Sequence, residues 1–253
     1  MEYRVWGAPG RPLVVLLHAL GCHRGWWEWA APLLAERYLV VAPDFRGHGD
    51  SPGADDYGFK AYAEDVERLL QRLGAGPCAL VGHSMGGYVA LTVAARNIIR
   101  PTAVVVADMK TDAPEQELAD LRAASLKPGR TYPTLEDAMA RYRLAPSDHV
   151  VPPERLAAVA RQSYRQLPDG TWTEKFDRRA LAIDPLSPGD LAARLTCPAL
   201  FVRGEHSQVM PAEPAAELAA AAQAQLITMP GLHHHLPLEN PEGIAAEVTA
   251  FLQ

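Results

Sequence analysis

Gly82-His83-Ser84-Met85-Gly86 sets a serine midway between two glycines, directly after the apolar run Cys78–Gly82 and directly before the amphipathic stretch Met85–Arg96. A serine hydroxyl is a poor nucleophile at neutral pH. Where a strand turns sharply into a helix, glycines two places to either side let the backbones close up, and the central side chain is thrust into a crevice. The same turn leaves the Met85 N–H at a helix N-terminus, where positive dipole character suits a developing oxyanion. Such a serine also needs a base to take its proton during attack and return it to the leaving group. Histidine suits that exchange, and the chain offers three in a row, His233-His234-His235, after Pro230-Gly231-Leu232. The plainer readings are a tight turn for the glycines and polar lining for the histidines. A metal site is a further alternative, but no second ligand cluster with recognisable spacing accompanies the histidines, so neither metal nor cofactor is expected.

These residues have to be held by something. Short apolar runs occur at Leu13–His18, Tyr38–Ala42, Cys78–Gly82, Ala103–Ala107, Ala199–Arg203 and Gln225–Met229. Their lack of strict alternation predicts strands covered on both faces. Amphipathic stretches lie between them at Trp26–Arg37, Tyr57–Leu73, Met85–Arg96, Glu213–Ala222 and Pro241–Leu252. Strand alternating with helix predicts a mainly parallel sheet with right-handed crossovers. The interval 110–195 breaks this rhythm, being far longer than the roughly 2–6 residues of an ordinary strand-to-helix loop. Its patterns at Pro114–Ser125, Leu135–Leu144 and Pro153–Gln166 predict short helices punctuated by prolines. The expected organisation is a core of residues 1–109 and 196–253, with 110–195 inserted as a helical lid over the sheet's C-terminal edge.

Composition narrows the classes. The chain has 253 residues, 48% of them hydrophobic, enough for one continuous core. Its net charge of −6, with no stripe of Lys or Arg, argues against nucleic acid as a partner. No apolar run reaches membrane-spanning length and the first residues lack a continuous apolar segment, so no membrane association and a cytoplasmic location are expected. Cys22, Cys78 and Cys197 are odd in number and widely spaced, which fits neither a disulfide framework nor a zinc site. A small-molecule substrate is the expected partner; oligomeric state is not legible.

Three segments together resemble the α/β-hydrolase superfamily: GHSMGG at 82–87, His18-Ala19-Leu20-Gly21 after the first buried run, and Pro43 to Ser51 (PDFRGHGDS) after the next. The resemblance runs over essentially the whole chain. It implies an eight-stranded, mostly parallel sheet flanked by helices, an inserted helical cap, and a site at the strands' C-terminal ends, as the crevice rule for open α/β sheets requires. It maps the second oxyanion donor onto the Leu20 N–H, although this chain carries Ala19 where the family usually has glycine. His18 is then a structural hydrogen-bonder, and Asp44, Arg46 and His48 belong to a structural turn. Aligning Pro230 and Glu239-Asn240-Pro241 with the family pattern makes His234 the base. The acid has alternatives. The loop Gly204–Gln208 has Ser207 where the family often has Asp, whereas Asp108 ends the run AVVVA at a second place known in the superfamily. Asp108 is preferred, with Glu205 and a nearby carboxylate such as Asp112 as rivals.

The implied activity is a serine hydrolase that cleaves a small to medium carboxylic ester or lactone through an acyl-enzyme, with Ser84, His234 and Asp108 catalytic and Leu20 and Met85 forming the oxyanion hole. Two other readings stay open because fold does not fix function. One is a cofactor-independent oxygenase or carbon–carbon bond hydrolase that uses the histidine–acid pair, and the other is a low-turnover small-molecule receptor. Tyr132, Met139, Tyr142, Leu144, Tyr164, Trp172 and Phe176 are candidates for the pocket wall, and one of Trp26, Trp27 and Trp29 is expected to face the pocket.

Overall fold

Every second residue of Leu13–Leu17 points to the same side, yet all five are buried, so this strand is covered by helices on both faces. Leu13, Val15 and Leu17 join one apolar cluster, and Val14 and Leu16 join another on the opposite side. The computed structural model, which describes residues 1–74 and 76–253, extends this pattern across the sheet. In chain order the first strands are β1 (Tyr3–Trp6), β2 (Leu13–Leu17), β3 (Leu39–Pro43), β4 (Cys78–His83) and β5 (Ala103–Ala107). The helices interleaved with them are α1 (Ala30–Leu34), α2 (Phe59–Arg72) and α3 (Met85–Arg96). The segment expected as one helix over Trp26–Arg37 is divided into a 3₁₀ turn at Arg24–Trp27 and α1.

The interval between β5 and the next core strand carries α4 (Glu115–Ser125), β6 (Thr131–Tyr132), α5 (Leu135–Ala140), α6 (Pro153–Gln162), β7 (Tyr164–Gln166), β8 (Trp172–Glu174) and α7 (Pro188–Ala192). The chain then returns to the core with β9 (Ala199–Gly204), α8 (Ala212–Ala221), β10 (Gln225–Met229), α9 (Leu236–Glu239) and α10 (Pro241–Phe251).

The main sheet has seven strands in the order β1-β3-β2-β4-β5-β9-β10, with β1 antiparallel and the rest parallel. Among the described residues the sheet has one strand fewer than the eight expected. The β1 segment, read in the sequence only as a charged start to the chain, forms the antiparallel edge. The inserted interval also differs from a purely helical cap, because β6, β8 and β7 form a small antiparallel sheet. Those strands are two or three residues long and mostly exposed or half-buried, so they leave no apolar run to read.

Register decides what meets at the sheet's C-terminal edge. Leu17 pairs with Gly82 and His83 with Ala107, so the loops after β2, β4 and β5 leave the sheet side by side. The 18–21 segment, Ser84 and Asp108 therefore converge without long-range coincidence. The crowding there sets the glycines. A Cβ at Gly86 would lie 2.3 Å from the Leu17 carbonyl oxygen, and one at Gly82 would lie 2.1 Å from the Gly86 carbonyl oxygen. These are backbone neighbours that no rotamer change relieves. Gly86→Ala is expected to cost about 1–3 kcal/mol of stability, the usual range for overpacking, read as a lower denaturant midpoint with an unchanged m-value.

The inserted interval is tied to the core by polar contacts. The Asp177 N–H donates to the Gly47 carbonyl at 2.7 Å, and the Tyr57 hydroxyl donates to Asp177 Oδ2 at 2.7 Å. Lys175 pairs with Asp50 at 2.6 Å, and the Phe176 ring packs on His48 with centroids 4.9 Å apart.

Candidate active site

Ser84 sits between β4 and α3 at φ +53° and ψ −119°, a conformation that costs a non-glycine residue free energy and persists only where the surroundings fix it. They do so here: its N–H donates to the Ala107 carbonyl at 3.0 Å, and its carbonyl accepts from the Gly87 N–H at 2.9 Å. Among the described residues no hydrogen bond engages the Ser84 hydroxyl, which faces a cavity of about 610 Å³.

The same cavity is lined by His234, Leu20 and Met85. The Met85 N–H opens α3 and has no intrahelical acceptor, as the first helical position requires. The Leu20 N–H likewise donates to no described residue. Two backbone donors on residues that line the same cavity as Ser84 thus have capacity to spare. Ala19 is not among the residues with positive φ, so its backbone makes no demand for glycine, and its methyl group is buried with Trp26 and Leu144.

His234 lies in the loop after β10, and its Nδ1–H donates to Asp108 Oδ1 at 2.7 Å. Asp108, at φ +49°, is fully buried just past β5. It also accepts from the Gly204 N–H at 2.8 Å through Oδ2 and from the Ser207 hydroxyl at 2.6 Å through Oδ1. Three donors on one carboxylate fix its plane. Ser207, which stands where an acid was expected, thus reaches Asp108 itself. Glu205, the rival acid, turns away: its carboxylate is about half exposed and accepts from the Gly231 N–H at 2.8 Å. The structure brings Ser84, His234, Asp108, Leu20 and Met85 together and leaves Glu205 aside.

Other residues fall where their surroundings dictate. His18 donates from Nδ1 to the Ala19 carbonyl at 2.8 Å and accepts from the Phe45 N–H at Nε2, 3.0 Å away, a structural link beneath the loop. Asp44 accepts from the Arg24 and Asp50 backbone N–H groups, and Arg46 forks onto Asp65, so this turn is held by its own ion pairs. Of the three tryptophans, Trp26 lines the cavity, Trp27 is in the core, and Trp29 packs against the cluster that contains Trp26.

Of the seven candidate wall residues in the insertion, Tyr142 and Leu144 line the cavity. Tyr132 and Tyr164 pack edge to face on each other, and Phe176 is spent on His48. Much of the wall comes from residues other than these seven: Phe59, Tyr88 and Met109 of the core and Leu186 of the insertion. Lys110 and Glu117, also at the cavity, are paired at 2.9 Å. Sequence reasoning missed three residues of the site. His83 was read only as the variable position of the turn motif, Ser207 only as a missing acid, and Glu239 only as part of an alignment. Glu239 accepts from the His233 N–H at 2.6 Å and so shapes the loop that carries His234.

Residues 14–247 match the Alpha/beta hydrolase family. The chain belongs to that family. This family member is 28% identical to the sn-1-specific diacylglycerol lipase ABHD11 of Mus musculus, across 95% of its own length and 81% of the lipase. It is also 28% identical to the 2-(acetamidomethylene)succinate hydrolase of Mesorhizobium japonicum, across 95% and 88% of the two chains. A crystal structure of E-2-(acetamidomethylene)succinate hydrolase superposes with a TM-score of 0.84 at 26% identity, covering 99% of this chain and 94% of that one. The enol-lactonase of Burkholderia xenovorans LB400 shares the fold with a TM-score of 0.80 at 20% identity, covering 99% and 95%. A further match is partial: 40% identity to the magnesium-chelatase 30 kDa subunit of Rhodobacter capsulatus spans 35% of this chain and 32% of that subunit. No helix among the described residues is long and apolar enough to cross a membrane.

Two buried histidines away from the cavity set a pH limit on stability. Burial, the largest influence, lowers His23 and His48 each to about 4. His23 accepts from the Gly25 N–H through Nδ1, and its Nε2–H reaches Val159 and Ser163 of the insertion. The unfolded chain binds protons at these positions near pH 6.5 and the folded chain only near 4, so ν for the unfolded state is the larger between those limits. Stability is therefore full above about pH 6.5 and falls as pH drops toward 4. A thermal melt series across that window checks the sign; His23→Gln and His48→Gln are expected to flatten the slope.

Proposed function

We propose that this family member is a serine hydrolase that cleaves a small to medium carboxylic ester or lactone through an acyl-enzyme, with residues 110–195 acting as the lid that shapes its substrate pocket. The observation that carries the reading is the convergence on one cavity of a strained Ser84, an imidazole oriented by a buried carboxylate, and two backbone N–H groups with no acceptor. Asp108 keeps the proton of His234 on Nδ1, which leaves Nε2 free to take the Ser84 proton. Ser84 Oγ then attacks the carbonyl carbon. The negative charge on its oxygen is met by the Leu20 and Met85 N–H groups, each worth on the order of a hundredfold in rate. His234 returns the proton to the departing alcohol, then activates a water that releases the acid and frees Ser84.

The wall is mostly apolar and the cavity volume suits a compact acyl or alkyl group. Esters and lactones are favoured because the relatives named above include a lipase and a lactonase. An aryl ester and lactone screen, run beside a fluorophosphonate probe, tests the reading. Turnover is expected together with stoichiometric labelling of Ser84. A protein that is folded but neither labelled nor active on any ester or lactone overturns it, and turnover of diketones instead points to the His234–Asp108 pair acting as a proton-abstracting base.

A further inference from the structure

Behind the serine, His83, His234 and His235 form a buried cluster in which one ring nitrogen of each lies within 4.8 Å of the other two. Each ring has one nitrogen committed and one spare. The Nε2–H of His83 donates to the His234 carbonyl at 2.9 Å, and the Nε2–H of His235 donates to the Pro146 carbonyl at 2.8 Å. The Nδ1 atoms of both rings are buried with no hydrogen-bond partner among the described residues. His234 commits Nδ1 to Asp108 and is left with Nε2. Unpaired buried acceptors are costly, and two within one close cluster are relieved by a hydrogen-bond donor such as water or by an ion that accepts lone pairs.

A histidine metal ligand directs one nitrogen at the ion while the other donates to a carbonyl or carboxylate that fixes tautomer and ring plane, and each of these three rings has one nitrogen engaged in that way. A first-row divalent ion suits three imidazoles, with a fourth position left for water. We propose that His83, His234 and His235 form a binding site for a divalent transition metal such as zinc, and that occupancy inhibits the hydrolase by taking up the Nε2 lone pair of its base. The inhibitory half rests on the serine-hydrolase reading; the binding half does not.

Tetrahedral zinc places its nitrogen ligands about 3.4 Å apart at Zn–N distances near 2.05 Å. The ring nitrogens, within 4.8 Å of one another, therefore have to draw together by up to about 1.4 Å. Trp26, stacked on His83 and edge-on to His235, closes one side of the cluster, while the cavity that His234 and His235 line gives access from the other. Binding exchanges three aquo ligands for three imidazole nitrogens. No imidazole proton is released, because each ring already holds its hydrogen on the committed atom. The nearby Asp108 carboxylate offsets part of the added charge.

The test uses untagged full-length protein and Co²⁺ or Zn²⁺ alone. Equilibrium dialysis is expected to find one tight site, Co²⁺ to develop the visible absorption of a tetrahedral nitrogen-rich centre, and Zn²⁺ to inhibit ester turnover with one-to-one stoichiometry, reversed by a chelator. His235→Gln and, separately, His83→Asn are expected to weaken metal binding at least about tenfold. His235 lines the cavity, so its variant is judged on metal binding and circular dichroism rather than on rate. Ser84→Ala is expected to bind metal as the parent does. Dialysis that finds no stoichiometric site in the folded parent overturns the proposal even when ester turnover is normal. Binding that survives both histidine variants, each shown to be folded, overturns it too, as does saturation of the site without loss of turnover. Metal binding in a protein that turns over no ester leaves the site standing and removes the hydrolase reading instead.

Discussion

Ser84→Ala is expected to lower turnover of a short-chain aryl ester on the order of a million-fold, with KM nearly unchanged. That magnitude is what removal of the nucleophile alone costs where serine, histidine and acid act as a unit. The hydroxyl is small and engages no described residue, so its loss disturbs neither the cavity wall nor the hydrogen bonds around it. The backbone bonds that hold position 84 at φ +53°, from its N–H to Ala107 and from the Gly87 N–H to its carbonyl, do not depend on the side chain. The variant should therefore fold like the parent and still bind substrate. What it loses is the covalent step: no burst of product in the first turnover and no fluorophosphonate labelling. The Leu20 and Met85 N–H groups remain, so a residue of catalysis over water, about 10³–10⁴-fold, is expected to survive from the oxyanion hole and binding alone. A variant that keeps its rate would leave His234 and Asp108 as the working pair and make the serine incidental.

What the sequence made legible follows from how local each signal is. A strand-to-helix turn with glycines at fixed offsets is a five-residue feature, so Ser84 and the Met85 N–H could be placed from neighbours alone. The buried strands announced themselves because parallel strands covered on both faces read as unbroken apolar runs. Strand β1 did not, since its residues are mostly exposed and it joins the sheet only through backbone pairing with β3. The insertion hid its small sheet for the same reason. Its contribution to the cavity was also illegible: aromatic type marked Tyr164 and Phe176 as readily as Tyr142, and only the tertiary path decides which ring faces inward. The acid lay between these cases. The resemblance supplied two places for it, and the residues pointed to Asp108 only because one of those places holds serine. That Ser207 then donates to Asp108 is a fact of register between β5 and β9, two strands separated by the whole insertion.

The same contact makes Asp108→Asn the second large effect, a loss of about 10⁴-fold in kcat. All three partners of this carboxylate are donors in the parent: the Gly204 N–H on Oδ2, and the Ser207 hydroxyl and His234 Nδ1–H on Oδ1. An amide offers one oxygen and one NH₂, so it has to oppose a donor somewhere. The Gly204 backbone cannot reverse its role, whereas a hydroxyl can rotate and an imidazole can change tautomer. The amide oxygen is therefore expected to face Gly204 and the NH₂ to face His234. That forces the imidazole proton onto Nε2, where it blocks acceptance of the Ser84 proton. Glu205→Gln, on a half-exposed side chain that contacts Gly231 and His206 and not His234, is expected to change the rate less than about threefold, consistent with a surface substitution. The opposite ranking would overturn the assignment of the acid. A relocation experiment sharpens the point. Ser207 Oγ lies 2.6 Å from the oxygen that contacts His234, and an aspartate there would extend one atom farther toward the ring. The double substitution Asp108→Ser with Ser207→Asp is expected to recover a measurable part of the activity that Asp108→Ser loses. Its Val209 and Met210 N–H neighbours, which already donate to the Ser207 oxygen, are placed to hold the new carboxylate. Recovery no better than that of Asp108→Ser alone would mean that orientation of His234 requires the buried carboxylate at the end of β5 and not merely a negative charge within reach of Nδ1.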